Sequence, residues 1–194
     1  MRMNYFFTSD RHFGHTNILR YCKRPFQSIQ EHDEVLIANW NRVVTNNDIV
    51  YHLGDFCFGT AKIALDILNR LNFREFKFIW GNHDRAMERL SYLAPSFKRR
   101  IDFLGEQKKI RIPTVFKQSQ EIVLNHYAMR IWEKSHYGAF HLYGHSHGSL
   151  SDLPDSLSFD VGVDCHNFTP ISFERVREIM NKKTFKPIDH HIGK

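Results

Sequence analysis

Short apolar runs that end in a glycine or a polar cluster recur along the chain and predict the strands of a sheet. The clearest is the run at 76–80, Phe-Lys-Phe-Ile-Trp, which continues directly into the tetrapeptide Gly81–Asp84. An apolar run bounded by glycine is typical of a buried strand whose carboxyl end opens into a loop. Ligands and catalytic groups of open α/β sheets lie at that end, so we expect functional residues there.

Strand and helix patterns alternate over the first half of the chain. They predict strands at 4–8, 49–53 and 76–80, and helices at 17–21, 28–44, 61–71 and 86–93. Strands separated by helices imply parallel pairing through right-handed crossovers. Beyond residue 100 the pattern becomes shorter and β-like, and a final helix is predicted over 172–182. The later strands are expected at 100–104, 108–112, 115–117, 121–124, 140–143 and 157–163. We interpret the first three of these as antiparallel strands of a second sheet or of its edge.

Two of the helices have recognisable signals. Ser28 followed by Glu31 forms a capping box, which marks the start of the helix that ends near Val44. The apolar period of the helix over 61–71 predicts an inward face formed by Ile63, Ala64, Ile67, Leu68 and Leu71.

Length and composition indicate one domain over 1–194, with a core at about 3–182 and a tail at 183–194. The histidine pair of the tail, at 190–191, is interpreted as solvated. Hydrophobic residues make up 42% of the chain, and no apolar run approaches the ~20 residues that a membrane helix needs. The three cysteines are scattered, which favours a reducing cytoplasm over a disulfide framework. We therefore expect a cytoplasmic protein with no membrane partner.

The formal charge of +6 allows two interpretations. One is an anionic partner, and the other is a solvated basic surface. Basic residues are spread along the chain, and no basic helix or aromatic RNA-binding segment is present. Charge alone therefore does not decide the partner, and oligomeric state is left open.

Residues that can bind metals follow the predicted strands. They are Asp10, His12, Asp55, Asn82, His83, His126, His145 and His147. Carboxylate, amide and imidazole ligands without thiolate favour Mn, Fe, Zn, Co or Ni. The seven of these other than His83 are too many ligands for one ion and suit two ions that share a carboxylate. His52 lies inside a predicted strand, so we interpret it as a hydrogen-bonded histidine of the core or sheet face.

The order of these blocks resembles the signature of calcineurin-like metallophosphoesterases. The matching segments are Asp10-x-His12, Gly54-Asp55, Gly81–Asp84, His126 and Gly144–His147. The resemblance implies an α/β fold, a four-layer α/β/β/α sandwich of two mixed β-sheets flanked by helices. It also implies that Asp10, His12 and His147 hold one metal, that Asn82, His126 and His145 hold the other, and that Asp55 bridges them.

The resemblance further implies hydrolysis of a phosphodiester, in a nucleotide or a similar small phosphate ester. A hydroxide held between two divalent ions, with manganese favoured, would attack phosphorus. His83 would protonate the leaving group, and the residues expected at the reaction itself are His83, Asp55 and Asn82. Alternatives that stay open are a nuclease acting on single-stranded nucleic acid, a phosphomonoesterase, and a non-catalytic interaction module on the same fold.

The chain departs from the Ser/Thr protein phosphatase branch at two positions. Phe58 replaces the aspartate that orients the acid histidine in that branch, and Asp84 replaces a glutamate. Protein phosphatase activity is therefore not expected, and His83 lacks a predicted orienting carboxylate. Candidate phosphate contacts flank the blocks, namely Arg11, His15 and Arg85, with Arg24 and Arg130 as further candidates. Tyr127 and Trp132 are candidates for stacking on a base, with core packing as the alternative for Trp132.

Overall fold

The computed structural model describes residues 3–93, 101–114 and 118–188. Within these ranges the strands are β1 (Tyr5–Thr8), β2 (Ile49–His52), β3 (Glu75–Phe78), β4 (Ile101–Phe103), β5 (Gln107–Pro113), β6 (Ser119–Asn125), β7 (Phe140–Tyr143), β8 (Ser158–Asp160) and β9 (Ile171–Ser172). The α-helices are α1 (Ile18–Tyr21), α2 (Ile29–Val43), α3 (Ala61–Arg70), α4 (Arg85–Leu93) and α5 (Phe173–Met180).

The strands form two mixed sheets. The first has the order β4-β3-β2-β1-β9, with β1 to β4 parallel and β9 antiparallel to β1. The second has the order β5-β6-β7-β8, with β5 antiparallel to β6 and the other neighbours parallel. Parallel neighbours end at the same edge of a sheet, so the loops that follow β1, β2 and β3 lie side by side, as do those that follow β6 and β7.

Adjacent residues of a strand face opposite sides of the first sheet, and this alternation divides the core in two. Phe6 and Val50 belong to a cluster with apolar side chains of α2, α3 and α4. Phe7 and Tyr51 belong to a second cluster that includes Leu142 of the second sheet and side chains of α5. Over the described residues the chain is therefore an α/β sandwich of two mixed sheets with five α-helices, as the fold prediction requires.

The Ser28 half of the capping box at the start of α2 is confirmed, whereas Glu31 reaches one residue further back than the N-cap. Ser28 accepts a hydrogen bond from the backbone N–H of Glu31 at 3.1 Å, and the Glu31 carboxylate accepts one from the N–H of Gln27 at 2.7 Å. An N-cap of this kind contributes about 1 kcal/mol to helix stability, so this local signal fixes where α2 begins.

Three details of the predicted elements are wrong. β4 is a parallel strand of the first sheet and not an antiparallel one, because Ile101 packs in the first cluster and pairs with Phe76. The prediction missed β9, which has only two residues. Ile63 is 42% exposed, since the inward face of α3 is narrower than its apolar period indicates. The predicted strand at 115–117 and the tail residues 189–194 lie outside the described residues.

His52 lies in the core, as predicted, but its expected hydrogen bonds are missing. Its ring packs 5.4 Å from the Phe78 ring and 5.2 Å from the Phe56 ring, and neither ring nitrogen has a hydrogen-bond partner in the described part of the chain. Burial lowers the pKa of His52 well below its usual 6.5. The protein therefore holds this imidazole neutral over the physiological range.

No helix within the described ranges is both long and apolar enough to cross a membrane.

Replacing His52 by Leu should stabilise the protein more at pH 5 than at pH 7.5. Below pH 6.5 the unfolded chain protonates His52 and the folded chain does not, so stability is lost as pH falls through that value. Leucine does not bind a proton in either state. The difference in the free energy of unfolding between the variant and the parent should therefore be larger at pH 5, by up to about 2 kcal/mol.

Urea denaturation of parent and variant at the two pH values measures this difference. Tyr51→Phe, in the same strand, is the control, since burial raises the pKa of Tyr51 to about 12 and it does not titrate in this range. If His52→Leu and the parent differ in the free energy of unfolding by the same amount at both pH values, the neutral state of buried His52 is contradicted.

Candidate metal centre

The loops after β1 and β2 pair with each other beyond the strands themselves. The backbone N–H of Asp10 donates to the Gly54 carbonyl at 3.0 Å, and that of His12 donates to the Asp55 carbonyl at 3.0 Å. This pairing continues the parallel register of the two strands. It fixes three predicted ligands, Asp10, His12 and Asp55, on one rigid loop pair.

Hydrogen bonds between the sheets bring the second group of loops to the same place. The N–H of His145 donates to Asp10 Oδ2 at 2.9 Å, and His126 Nδ1 donates to the Leu53 carbonyl at 2.7 Å. An isolated parallel bridge between Ser9 and Gly162 joins the ends of β1 and β8. The carboxyl ends of both sheets therefore meet at one edge of the molecule.

The structure brings Asp10, His12 and His147 together as a first ligand set. One ligand atom from each of them lies within 4.8 Å of the others. Asp10 Oδ1 and His12 Nε2 are buried and have no hydrogen-bond partner among the described residues. Burial raises the pKa of Asp10 to about 8 and lowers that of His12 far below its usual value. Buried polar atoms without partners are costly, and a cation between them would remove that cost.

His147 is oriented by a carboxylate that the sequence analysis did not identify. Its Nδ1 lies 2.7 Å from Asp164 Oδ2, which leaves Nε2 available as a ligand. Burial lowers the pKa of His147, but hydrogen bonds with Asp164 and Cys22 outweigh burial and raise it to about 10. Metal-bound histidines are commonly held in this way by a carboxylate on the other ring nitrogen.

Asp55, His126 and His145 form a second ligand set, again with ligand atoms within 4.8 Å of one another. Because His126 Nδ1 donates to a carbonyl, its Nε2 presents a lone pair. That nitrogen lies 3.0 Å from Asn82 Oδ1 and 3.6 Å from Asp55 Oδ2. Three acceptor atoms therefore converge on one point, which is the arrangement that a cation stabilises.

Asp55 lies between the two sets. Its Oδ2 is 3.4 Å from His12 Nε2 of the first set and 3.6 Å from His126 Nε2 of the second. Its Oδ1 accepts a hydrogen bond from the backbone N–H of His83 at 2.9 Å, which fixes the carboxylate plane. One carboxylate oxygen thus faces both imidazoles.

Backbone strain is concentrated in these residues. Nine non-glycine residues in the described ranges have positive φ, and five of them are predicted ligands: Asp10, His12, Asp55, His145 and His147. A non-glycine residue in this region costs on the order of 1–3 kcal/mol. Such strain persists only where the surrounding structure imposes it, and it is common at functional sites.

The donor set fits two divalent transition metals. Both ligand sets contain carboxylate and imidazole groups, and Asn82 adds an amide oxygen, as expected for Mn, Fe, Zn, Co or Ni. A third group of possible ligands joins His147 to Cys22 and Asp164. Asp164 already forms an ion pair with Arg24 at 2.7 Å, so we assign this third group to the support of His147.

Buried acidic residues support the ligand loops. Asp84 accepts hydrogen bonds from the backbone N–H groups of Asp55, Phe56 and Gly81 at 2.8, 2.9 and 2.7 Å, and burial raises its pKa to about 6. Asp160 accepts from the N–H of Gly148 at 3.1 Å. Asp84 could be found from its place in the motif, whereas Asp160 and Asp164 follow no ligand pattern in the sequence.

Two arginines predicted to contact phosphate are buried, and that prediction is wrong for both. Arg11 is fully buried over the Trp40 ring, 4.6 Å from its centroid, and donates to the Leu36 carbonyl. Arg24 is 4% exposed and donates to the carbonyls of Asp10 and Arg11. Arg24 therefore supports the loop that carries Asp10, Arg11 ties the same loop to α2, and neither guanidinium group is available to a substrate.

A cavity of about 370 Å³ opens over the ligand sets, and His15, Phe58 and His83 line it. The His15 ring stacks on Phe58 at 4.2 Å, and the Phe58 ring makes an edge contact with His83 at 5.9 Å. Among the described residues no hydrogen bond involves the His83 ring. Packing against Phe58, and not a hydrogen bond to a carboxylate, therefore positions the His83 ring, as the presence of Phe58 predicts.

The remaining candidates lie around this cavity. Arg85 lies on α4 and lines a neighbouring cavity together with Asn82. Tyr127 is 48% exposed, and its ring lies 4.6 Å from that of His145. Trp132 packs in the core at 6% exposure, so base stacking is excluded for it. Arg130 lines a separate cavity on another part of the surface.

Replacing Asp164 by Asn should weaken the binding of one of two Mn²⁺ ions about 10- to 100-fold at pH 8 and leave the other unchanged. A metal must displace the proton of His147, whose pKa is about 10, so affinity should rise with pH below that value. Without the Asp164 carboxylate, the Mn²⁺ affinity should increase less steeply with pH. Isothermal titration calorimetry between pH 6 and 8 measures both quantities.

Asp152→Asn is the matched control, because it removes an exposed carboxylate that pairs with Lys183 away from the site. An Asp164→Asn protein that binds both ions with parental affinity and pH dependence would contradict the support role.

Comparisons with known proteins agree with the fold and leave the chemistry open. No protein-family model matches the chain. A solved structure, a protein of unknown function from Aquifex aeolicus (AQ665), has the same fold, with a TM-score of 0.65 at 21% identity over 92% of this chain and all of that one. The gene 66 protein of Mycobacterium phage D29 is 28% identical over 92% of this chain and 96% of its own length. The uncharacterized protein MJ1445 of Methanocaldococcus jannaschii is 32% identical over 90% of this chain and 89% of its own length. The chain belongs to the same protein family as MJ1445.

Proposed function

We propose that the chain is a calcineurin-like metallophosphoesterase that uses two divalent metal ions to hydrolyse a phosphodiester. The observation that carries the proposal is the position of Asp55 Oδ2, 3.4 Å from one imidazole nitrogen and 3.6 Å from another that belongs to a different ligand set. A shared carboxylate between two ligand sets is typical of two-metal hydrolases.

Two divalent cations held here would neutralise the phosphoryl oxygens and lower the pKa of water at the site. The protein's own contribution is to fix the ligands. Asp84 and Asp164 hold the Asp55 loop and the His147 ring, so little reorganisation is needed when the substrate binds. Asn82 contributes an amide oxygen beside His126.

His83 is the proposed general acid. Its ring is exposed and lines the cavity above the ligand sets, where a leaving group would lie. Water loses one proton to solvent as its oxygen bonds to phosphorus, and the bond between phosphorus and the leaving oxygen breaks. His83 donates a proton to that oxygen and is later reprotonated from solvent.

Charge favours a diester over a monoester. Within the described part of the chain, no lysine or arginine lines the cavity that contains His83. Two divalent ions carry two more positive charges than the Asp10 and Asp55 carboxylates can neutralise. A hydroxide and a singly charged diester together balance those two charges. A monoester carries nearly a second negative charge at pH 7, and no lysine or arginine of the described residues lines this cavity to balance it. A panel of a generic diester, a monoester, cyclic nucleotides and single-stranded DNA, assayed with Mn²⁺, tests the substrate class. Monoester preference would overturn it.

Replacing Asp55 by Ala should abolish hydrolysis and remove at least half of the bound metal, since each ligand set loses its shared carboxylate. Elemental analysis and the diester assay measure the two effects. Asp66→Ala, at an exposed position on α3, is the control. Full metal content with a normal rate in Asp55→Ala would refute the bridging role.

His83→Asn should lower kcat about 10²- to 10⁴-fold for a diester with an alkyl leaving group. The loss should be much smaller for a p-nitrophenyl diester, because p-nitrophenolate leaves without a proton. Metal content should not change. His15→Asn, in the same cavity, should show no dependence on the leaving group. An equal loss on both substrates for His83→Asn would exclude the acid role.

A further inference from the structure

Asn82 and His83 are consecutive in the chain but line different cavities. His83 lines the cavity of about 370 Å³ described above, whereas Asn82 lines a second one of about 420 Å³ that extends along α4. Asn82 Oδ1 lies 3.0 Å from His126 Nε2, so a residue of the second cavity contacts the second ligand set.

A phosphodiester has two ester arms, and the proposed chemistry assigns one of them. The leaving arm lies beside the general acid, in the cavity that contains His83. The arm that stays on phosphorus must extend elsewhere. The second cavity starts at Asn82 and has a volume in the range that small-molecule sites occupy, about 300–1,000 Å³.

The side chains of the second cavity indicate what that arm is. Arg85 is exposed, and among the described residues it has no ion-pair partner. Tyr92 is 76% exposed and presents its ring at the same cavity. Glu88 adds a carboxylate that can accept hydrogen bonds from sugar hydroxyls or base amino groups. Asp84 also borders the cavity, but backbone N–H groups already occupy its oxygens.

We propose that the second cavity is a subsite for a nucleotide arm that carries a further phosphate. Arg85 binds that phosphate, Tyr92 stacks on the base, and Asn82 marks the boundary with the metal centre. The inference rests on the phosphodiesterase function proposed above. It names the substrate class as a nucleotide diester with a phosphate on each side of one nucleoside, the unit that also repeats in an oligonucleotide.

Three p-nitrophenyl diesters with the same leaving group test the subsite. Their second arms are methyl, thymidine attached through its 5′ oxygen, and the same thymidine with a 3′-phosphate. For the Mn²⁺-loaded protein, kcat/KM should rise along this series. The 3′-phosphate should contribute about tenfold through a charge-assisted contact with Arg85, and the nucleoside about tenfold through stacking on Tyr92.

Arg85→Gln should remove the increase in kcat/KM that the 3′-phosphate gives and keep the increase that thymidine gives. Tyr92→Ala should remove the increase from thymidine and keep that from the 3′-phosphate. Arg89→Gln is the matched control, because Arg89 is also an exposed arginine of α4 but does not line the cavity. Equal rates on all three diesters, or equal effects of Arg85→Gln and Arg89→Gln, would overturn the subsite and leave the phosphodiesterase function intact.

Calorimetry separates failure of the subsite from failure of the function. Thymidine 3′,5′-bisphosphate should bind the Mn²⁺-loaded protein about tenfold more tightly than thymidine 5′-monophosphate, and Arg85→Gln should abolish that difference. If none of the diesters is hydrolysed but this difference is present, the proposed function is wrong and the subsite stands. Equal affinities of parent and Arg85→Gln for the bisphosphate overturn the subsite.

Discussion

The convergence of electron-pair donors on Asp55 is the constraint on which the site depends. Asp55 Oδ2 faces His12 Nε2 and His126 Nε2. Asp10 Oδ1 and His12 Nε2 are buried, and no described residue forms a hydrogen bond with either atom. In a low-dielectric interior such groups destabilise the fold, and desolvation raises the pKa of Asp10 to about 8 for this reason. The protein tolerates this cost at one edge of its two sheets, which is the arrangement expected where cations bind.

A buried polar network keeps these groups in place. Arg24 donates to the Asp10 and Arg11 carbonyls and pairs with Asp164, which in turn holds His147. This chain of hydrogen bonds connects the loop after β1 to the loop after β7, and thus one sheet to the other. Buried networks of this kind are strong only when every member has a partner, so their residues act as one unit.

The sequence predicted the candidate ligands better than the residues that support them. Parallel strands end at a common edge, which groups the candidate ligands of each sheet, and the family resemblance implied that Asp10 of one sheet lies near His147 of the other, where the structure places it. This rule does not predict the direction of a long side chain. The sequence therefore predicts a phosphate contact for Arg11, whose side chain points into the core over Trp40. Asp164 lies within a 3₁₀ turn that follows a strand of only three residues, and no periodic pattern marks such a segment.

The close approach of the ligand loops also depends on residues without side chains. Gly54 has φ of +91°, and a Cβ on it would lie 2.6 Å from the backbone N of Gly81 and 2.7 Å from His126 Nδ1. A Cβ on Gly81 would lie 2.7 Å from the backbone N of Asp55. Since atoms cannot approach so closely, a side chain at either position would push the Asp55 loop away from His126. The spacing between the two ligand sets is therefore determined by backbone packing at these glycines as much as by the ligands themselves.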